Sequence, residues 1–171
     1  QMVPYPDVLG ITPCYASPFL QAQAGSTHGY DITNHQALNP EIGTETEYVA
    51  LCEALQTHGM GQVLHIVPNH MGVVGNDNQW WHDVLENGSA SPYAGFFGIA
   101  CYASPRVEMH GKVLLPVLGM FYGEALESQE IRLAYADGVL TVQYFDHHFP
   151  VTPRTYAMVL EHRRDEIASL V

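Results

Sequence analysis

Tyr48, Leu51, Cys52 and Leu55 recur at i, i+3, i+4 and i+7, which puts them on one face of a helix. Thr44 suits the N-cap of that helix, Glu45 and Glu47 suit its positive end, and Gly59 stops it. Apolar runs flank the helix. Ile11 to Ala16 reads as a short strand, weakened by Pro13, which cannot donate to a central ladder. Gln62 to Val67 reads as a second strand, mostly apolar and therefore expected to be buried on both faces. Between the first strand and the helix, Ser17 to Asn39 reads as a long polar loop. Strand, helix and strand form one βαβ unit, which requires a parallel pair and a right-handed crossover. Upstream, Val3 to Leu9 reads as the tail of a helix with Gly10 as its stop.

After Pro68 the pattern changes. Trp80 to Leu85 predicts a short helix ended by Asn87-Gly88, and Lys112 to Leu118 predicts a strand broken by Pro116. Ile131 to Tyr135 and Val139 to Phe145 flank Ala136-Asp137-Gly138, a strong hairpin signal. Thr155 to Val171 predicts a final helix. Repeats and low-complexity tracts are absent. The fold class read from this order is α/β: a parallel portion followed by a smaller, irregular β-containing portion.

Composition narrows the partners. The 171 residues suffice for one sizeable core but not for two typical domains. Charged residues make up only 14%, below the usual quarter, which hints at surface covered by further protein. Six Lys plus Arg against 18 Asp plus Glu give a net charge of -12. That argues against a nucleic-acid or anionic-membrane partner, because phosphate binding needs a basic footprint. Cys14, Cys52 and Cys101 are widely spaced and odd in number, which makes neither a disulfide framework nor a zinc site. Without a charged-then-apolar leader or a long apolar run, the expected location is the cytoplasm.

Two polar segments carry the candidate chemistry: Gly25-Ser26-Thr27-His28-Gly29-Tyr30-Asp31 and His65-Ile66-Val67-Pro68-Asn69-His70-Met71. Each follows an apolar run and precedes a loop. In a parallel α/β fold both loops leave the C-terminal ends of adjacent strands, where such folds place ligand sites. Tyr30 offers a ring face to a sugar, and ionised Asp31 accepts bonds from sugar hydroxyls. Asn69 and His70 are placed to reach the same ligand, and Trp80 and Trp81 are candidate subsite aromatics. Each also has a plain structural explanation: a turn in which Asp31 caps its own backbone, and tryptophans that pack. Ten histidines raise the alternative of a metal-binding domain, yet no HExxH or Cys/His spacing is present. His147 and His148 are adjacent and would face opposite sides of a strand. A G-x-S-x-G elbow and a phosphate loop are also absent.

These residues resemble a known family. Leu9-Gly10-Ile11 through Ser17-Pro18, the Gly25–Asp31 segment and Leu38-Asn39-Pro40-Glu41 are similar to the α-amylase superfamily of glycoside hydrolases. His58-Gly59-Met60-Gly61 with Ile66-Val67-Pro68-Asn69-His70 resembles its first conserved region. Within the superfamily the pattern resembles the maltooligosyltrehalose synthases. It does so through Ser17-Pro18-Phe19-Leu20-Gln21-Ala22 and Trp80-Trp81-His82-Asp83-Val84-Leu85-Glu86-Asn87-Gly88. Ser91-Pro92-Tyr93-Ala94, Lys112 through Gly119, Gly123-Glu124-Ala125-Leu126 and Tyr144 through Pro150 extend the likeness over nearly the whole chain.

The resemblance implies part of a (β/α)8 barrel: strands 2–3 with flanking helices over residues 1–70, then an α+β subdomain inserted after strand 3 over 71–171. It implies a maltooligosaccharide substrate and an intramolecular transglycosylation, in which a reducing-end α-1,4 linkage becomes α,α-1,1. A retaining mechanism with two carboxyl groups suits that change. Tyr30 matches the tyrosine that stacks on the sugar beside the scissile bond, and Asp31 a position that bonds its hydroxyls. His70 matches a histidine that bonds the glucosyl ring, and Asn69 an asparagine at the junction with the insertion. No metal or cofactor is assigned. Two positions depart from the family: His65 and Asn34 stand where it usually has Asp.

The family's nucleophile and acid/base lie on later strands, and a whole barrel needs about 250 residues. These 171 residues are therefore expected to hold no catalytic carboxylate pair and to be inactive alone. Two alternatives remain: an α-glucan hydrolase of the same superfamily and a non-catalytic glucan-binding barrel remnant.

Overall fold

Thr44 begins the longest helix with a reciprocal cap. Its hydroxyl accepts from the Glu47 backbone N–H at 3.3 Å, and the Glu47 carboxylate accepts from the Thr44 backbone N–H at 2.8 Å. This satisfies two donors that a helix start would otherwise leave open. The Thr44 backbone and hydroxyl bonds hold the Glu47 carboxyl below its ordinary value of 4.5. A depressed acid stabilises the fold above its unfolded pKa and loses that contribution as pH falls through the folded value. Acidification below pH 4.5 is thus expected to loosen this helix start, and Glu47→Gln to remove that pH dependence. Thr44→Ala is expected to cost about 1 kcal/mol, read from denaturation at neutral pH.

The computed structural model describes residues 2–100 and 104–162. Cys101 and the last nine residues of the expected final helix lie outside them. The chain divides into two compact units, Gln1–Asn78 and Gln79–Val171.

In the first unit the order is α1 (Pro4–Val8), β1 (Pro13–Ala16), β2 (Leu20–Ala22), β3 (Ile32–Leu38), α2 (Glu45–Thr57) and β4 (Gly61–Leu64). β1 and β4 pair in parallel, with Ala16 opposite Leu64 at their shared C-terminal end. The parallel βαβ connection expected from the sequence is therefore present. Pro13 sits at the first residue of β1, where its missing N–H interrupts nothing. Gly59, at φ +64°, turns the chain from α2 into β4. Val3, Leu55 and Met60 form the buried cluster joining α1, α2 and the entry to β4.

Two expectations fail here. The supposed polar loop contains the antiparallel β2–β3 hairpin, with Leu20 opposite Leu38 and Ala22 opposite Ile32. The polar run Thr33-Asn34-His35-Gln36 hid it, because Asn34, His35 and Gln36 face solvent. β4 is not buried on both faces: Val63 is 50% exposed, and Ile66 just beyond it 56%. The parallel sheet has two strands and gives β4 no second neighbour among the described residues.

The second unit contains α3 (Gln79–Asn87), α4 (Tyr122–Glu127), β5 (Ile131–Ala136), β6 (Val139–Tyr144), β7 (His147–Pro150) and α5 (Tyr156–His162). β5, β6 and β7 form an antiparallel meander. Asp137 and Gly138 both take positive φ, +52° and +84°, as a type I′ hairpin turn demands. The second hairpin turns on Phe145 and Asp146, a pair without turn chemistry in the sequence, with Phe145 at φ +47°. Trp81, Val84, Leu140 and Tyr144 are buried. The strand expected over Lys112 to Leu118 is absent; the run is irregular, and Leu114 within it is 77% exposed. Pro116 supplies no donor to any ladder there.

Candidate functional site at the C-terminal end of the parallel strands

The backbone fixes where the first motif sits. β1 and β4 run together to Ala16 and Leu64, and the His65 N–H extends the pairing by donating to the Ala16 carbonyl at 2.9 Å. Both motif loops therefore leave from one end of the pair. The chain from β1 enters the hairpin, and its tip carries Gly25 to Asp31.

That tip is held from several sides. The Gly25 N–H donates to both Glu41 carboxylate oxygens, at 2.9 and 3.2 Å. The Ser26 hydroxyl donates to Asp31 Oδ1, and the Gly29 N–H donates to Ser26 Oγ at 3.1 Å. Gly29 is required: it is buried at φ +71°, and a Cβ would lie 3.1 Å from Pro18 Cβ and 3.2 Å from the Pro18 carbonyl oxygen. The turn is held by Ser26 rather than by Asp31 capping its own backbone, and Ser26 also fixes the Asp31 carboxylate.

Tyr30 lies among imidazoles. Its ring stacks on His28 at 5.1 Å and on His65 at 5.4 Å. His65 also meets Tyr15 edge-on at 5.8 Å, and the Tyr15 hydroxyl bonds His65 Nδ1. At His28, Nδ1 lies 3.1 Å from the Tyr30 N–H and 3.7 Å from Asp31 Oδ1. The shorter contact makes Nδ1 an acceptor, so the approach to Asp31 is not an ion pair.

Asn69 and His70 occupy the turn that ends the second motif. The His70 N–H donates to the Val67 carbonyl at 3.1 Å, and Asn69 Oδ1 lies 3.2 Å from His70 Nδ1. Both side chains are exposed. The segment then docks on β3: the Gly72 N–H donates to the Ile32 carbonyl at 2.9 Å, and buried Asn78 donates to the Gly72 carbonyl at 2.7 Å. The structure thus joins the two motifs through His65–Tyr30 and through Gly72 against the Asp31–Thr33 backbone.

Trp80 and Trp81 belong to the other unit. Trp80 stacks on Tyr93 at 5.2 Å and on Phe96 at 5.1 Å, while Trp81 is 6% exposed and packs on Phe97 at 5.0 Å. Asn34 is exposed on β3, where its amide donates to Gln21 Oε1 at 3.4 Å. Among the described residues no three His, Cys, Asp or Glu side chains converge as a metal site, so the histidine-rich metal alternative has no geometric support. No helix among them is long and apolar enough to cross a membrane.

Sequence reasoning missed the support around Tyr30. Gly72 lies outside the quoted motifs, and for both Tyr15 and Gly72 only the tertiary contacts reveal the role. His65 stood out solely as a departure from the family.

Residues 1–136 match the α-amylase catalytic domain family. A putative maltooligosyl trehalose synthase of Mycobacterium tuberculosis is 41% identical over 119 residues, covering 69% of this chain and 15% of that protein. The structure of maltooligosyltrehalose synthase from Arthrobacter ramosus superimposes with TM-score 0.69 and 36% identity, over 90% of this chain and 19% of that one. A crystal structure of a maltooligosyl trehalose synthase gives TM-score 0.73 and 33% identity, over 88% and 20%. The chain thus spans between 15% and 20% of the length of these relatives. With the catalytic-domain match over residues 1–136 and these structural likenesses, the chain belongs to the α-amylase family.

Proposed function

We propose that this chain supplies part of the sugar-binding wall of a maltooligosyltrehalose synthase. In this reading residues 1–70 form strands 2 and 3 of a (β/α)8 barrel with their flanking helices, and residues 71–171 form the subdomain inserted after strand 3. The complete enzyme moves the reducing-end α-1,4 linkage of a maltooligosaccharide to α,α-1,1. Its nucleophile and acid/base lie on later strands, outside these residues. Tyr30 lies against a glucose ring, Asp31 accepts from its hydroxyls, and Asn69 and His70 bond the same ligand.

One observation carries the reading: Tyr30, Asp31 and the Asn69–His70 turn emerge together from the shared end of β1 and β4, interlocked by His65. This is where parallel α/β folds bind ligands. The retaining reaction needs a site closed to water, because water would hydrolyse the glucosyl intermediate. In this chain Tyr30 and the imidazoles beside it form an aromatic wall suited to that exclusion.

The test is calorimetric titration of the chain with maltopentaose. Tyr30→Ala is expected to weaken binding about tenfold or more, since losing an aromatic contact of about 1.4 kcal/mol costs one decade. Asp31→Asn is expected to weaken it less, because the amide keeps one acceptor. Equal affinity of the Tyr30→Ala chain and the parent would refute the assignment. Turnover of maltopentaose by the purified chain would refute the absence of the catalytic pair.

A further inference from the structure

The second unit contains a cavity of about 530 Å³, with a mixed polar and apolar lining, that the proposed reaction does not use. One helix lines half of it: α3 contributes Gln79, Trp80, His82, Asp83 and Glu86. Thr141 and His148, on β6 and β7, close the opposite side. Tyr93 stacks on Trp80 with its plane nearly parallel, at an interplanar angle of 6°, and joins it in the aromatic part of the lining. Asp83 Oδ1 is buried and has no hydrogen-bond partner among the described residues.

The lining selects the ligand class. Anions are disfavoured by Asp83 and Glu86 and by a net charge of -12. Metal ions are disfavoured because no three His, Cys, Asp or Glu side chains converge among the described residues. Carboxylates accept, imidazoles and the Thr141 hydroxyl donate or accept, and an aromatic face covers one side. That mixture suits a neutral polyhydroxyl chain, whose every hydroxyl both donates and accepts. The volume falls in the range of small-ligand pockets, about 300–1,000 Å³.

We propose that this cavity is a second, non-catalytic α-glucan-binding site, with Trp80 and Tyr93 as its apolar wall and Asp83 and Glu86 as hydroxyl acceptors. The site shares its ligand class with the proposed function but none of its residues. It would hold a glucan on the second unit independently of the wall formed by Tyr30.

Tryptophan emission reads this cavity selectively, since the chain's two tryptophans, Trp80 and Trp81, both lie on α3. The whole chain is titrated with maltoheptaose. The expected result is a saturable emission change that Tyr30→Ala leaves intact. The double substitution His82→Ala with Glu86→Ala is expected to weaken it about tenfold, the loss of one charge-assisted hydrogen bond. Glu86→Gln alone, which keeps shape and volume, guards against misfolding and is expected to weaken it severalfold.

Flat emission while calorimetry shows saturation would overturn the second site, as would a response abolished by Tyr30→Ala. A response matched by glycerol at equal hydroxyl concentration would also overturn it. An emission response that survives when Tyr30→Ala changes no affinity would refute the proposed role of Tyr30 and leave this site standing. Absence of any response in either measurement at millimolar maltoheptaose would refute both.

Discussion

Replacing Trp81 by alanine is expected to destabilise the second unit by about 3–5 kcal/mol, the usual cost of deleting a buried large aromatic. Trp81 is 6% exposed, and its ring packs at 50° against Phe97. Val84, one turn further along α3, is 4% exposed and shares the buried side of the helix. Alanine would leave a void that these neighbours cannot close without moving α3. Trp80 is the built-in control: adjacent on the helix but only half-buried, it should cost clearly less. Thermal unfolding followed by circular dichroism separates the two. Equal losses for the two alanine variants would show that α3 is packed differently.

Gly72→Ala is expected to cost about 1–3 kcal/mol, as overpacking does at a site that cannot relax. A Cβ there would lie 2.9 Å from the Asp31 carbonyl oxygen and 3.1 Å from Thr33 Cγ2. Neither neighbour is free to yield. The Asp31 carbonyl accepts from the Gln23 N–H at 3.0 Å, and Thr33 is 5% exposed. Moving Gly72 instead would break its bond to Ile32 or the bond from Asn78. Either route shifts the Asn69–His70 turn relative to Tyr30, so maltopentaose affinity should fall with stability. A denaturation midpoint equal to that of the parent would mean that the segment is not docked as described.

Local rules explain which elements were legible in the sequence. α2 shows itself through a capping box, a periodic face and a glycine stop, all within its own residues. The β5–β6 hairpin shows itself through Asp137-Gly138, whose positive φ values few other pairs tolerate. The β2–β3 hairpin was hidden because its strands alternate poorly and its register is irregular at Gln21. The strand expected from Lys112 to Leu118 was an apolar run without a partner, and apolarity alone does not supply a ladder. β4 was read as doubly buried from composition, yet burial depends on which neighbours cover each face.

The candidate site divides along the same line. Tyr30, Asp31, Asn69 and His70 were visible because motif and strand order coincide. Tyr15, Gly72 and the stacking of His65 were not, since each depends on residues distant in sequence coming together. His65 in particular changes meaning in three dimensions. An imidazole bonded to the Tyr15 hydroxyl and stacked on Tyr30 props the Tyr30 ring, which a carboxylate cannot do by stacking.

The central claim, that the loops at the end of β1 and β4 form an α-glucan-binding wall, is tested most directly by NMR of the histidine side chains during a maltoheptaose titration. The account predicts that the ring signals of His28 and His65 move saturably with one dissociation constant, and that Tyr30→Ala abolishes the movement. Signals of His28 and His65 that stay fixed while maltoheptaose binds elsewhere on the chain would contradict it.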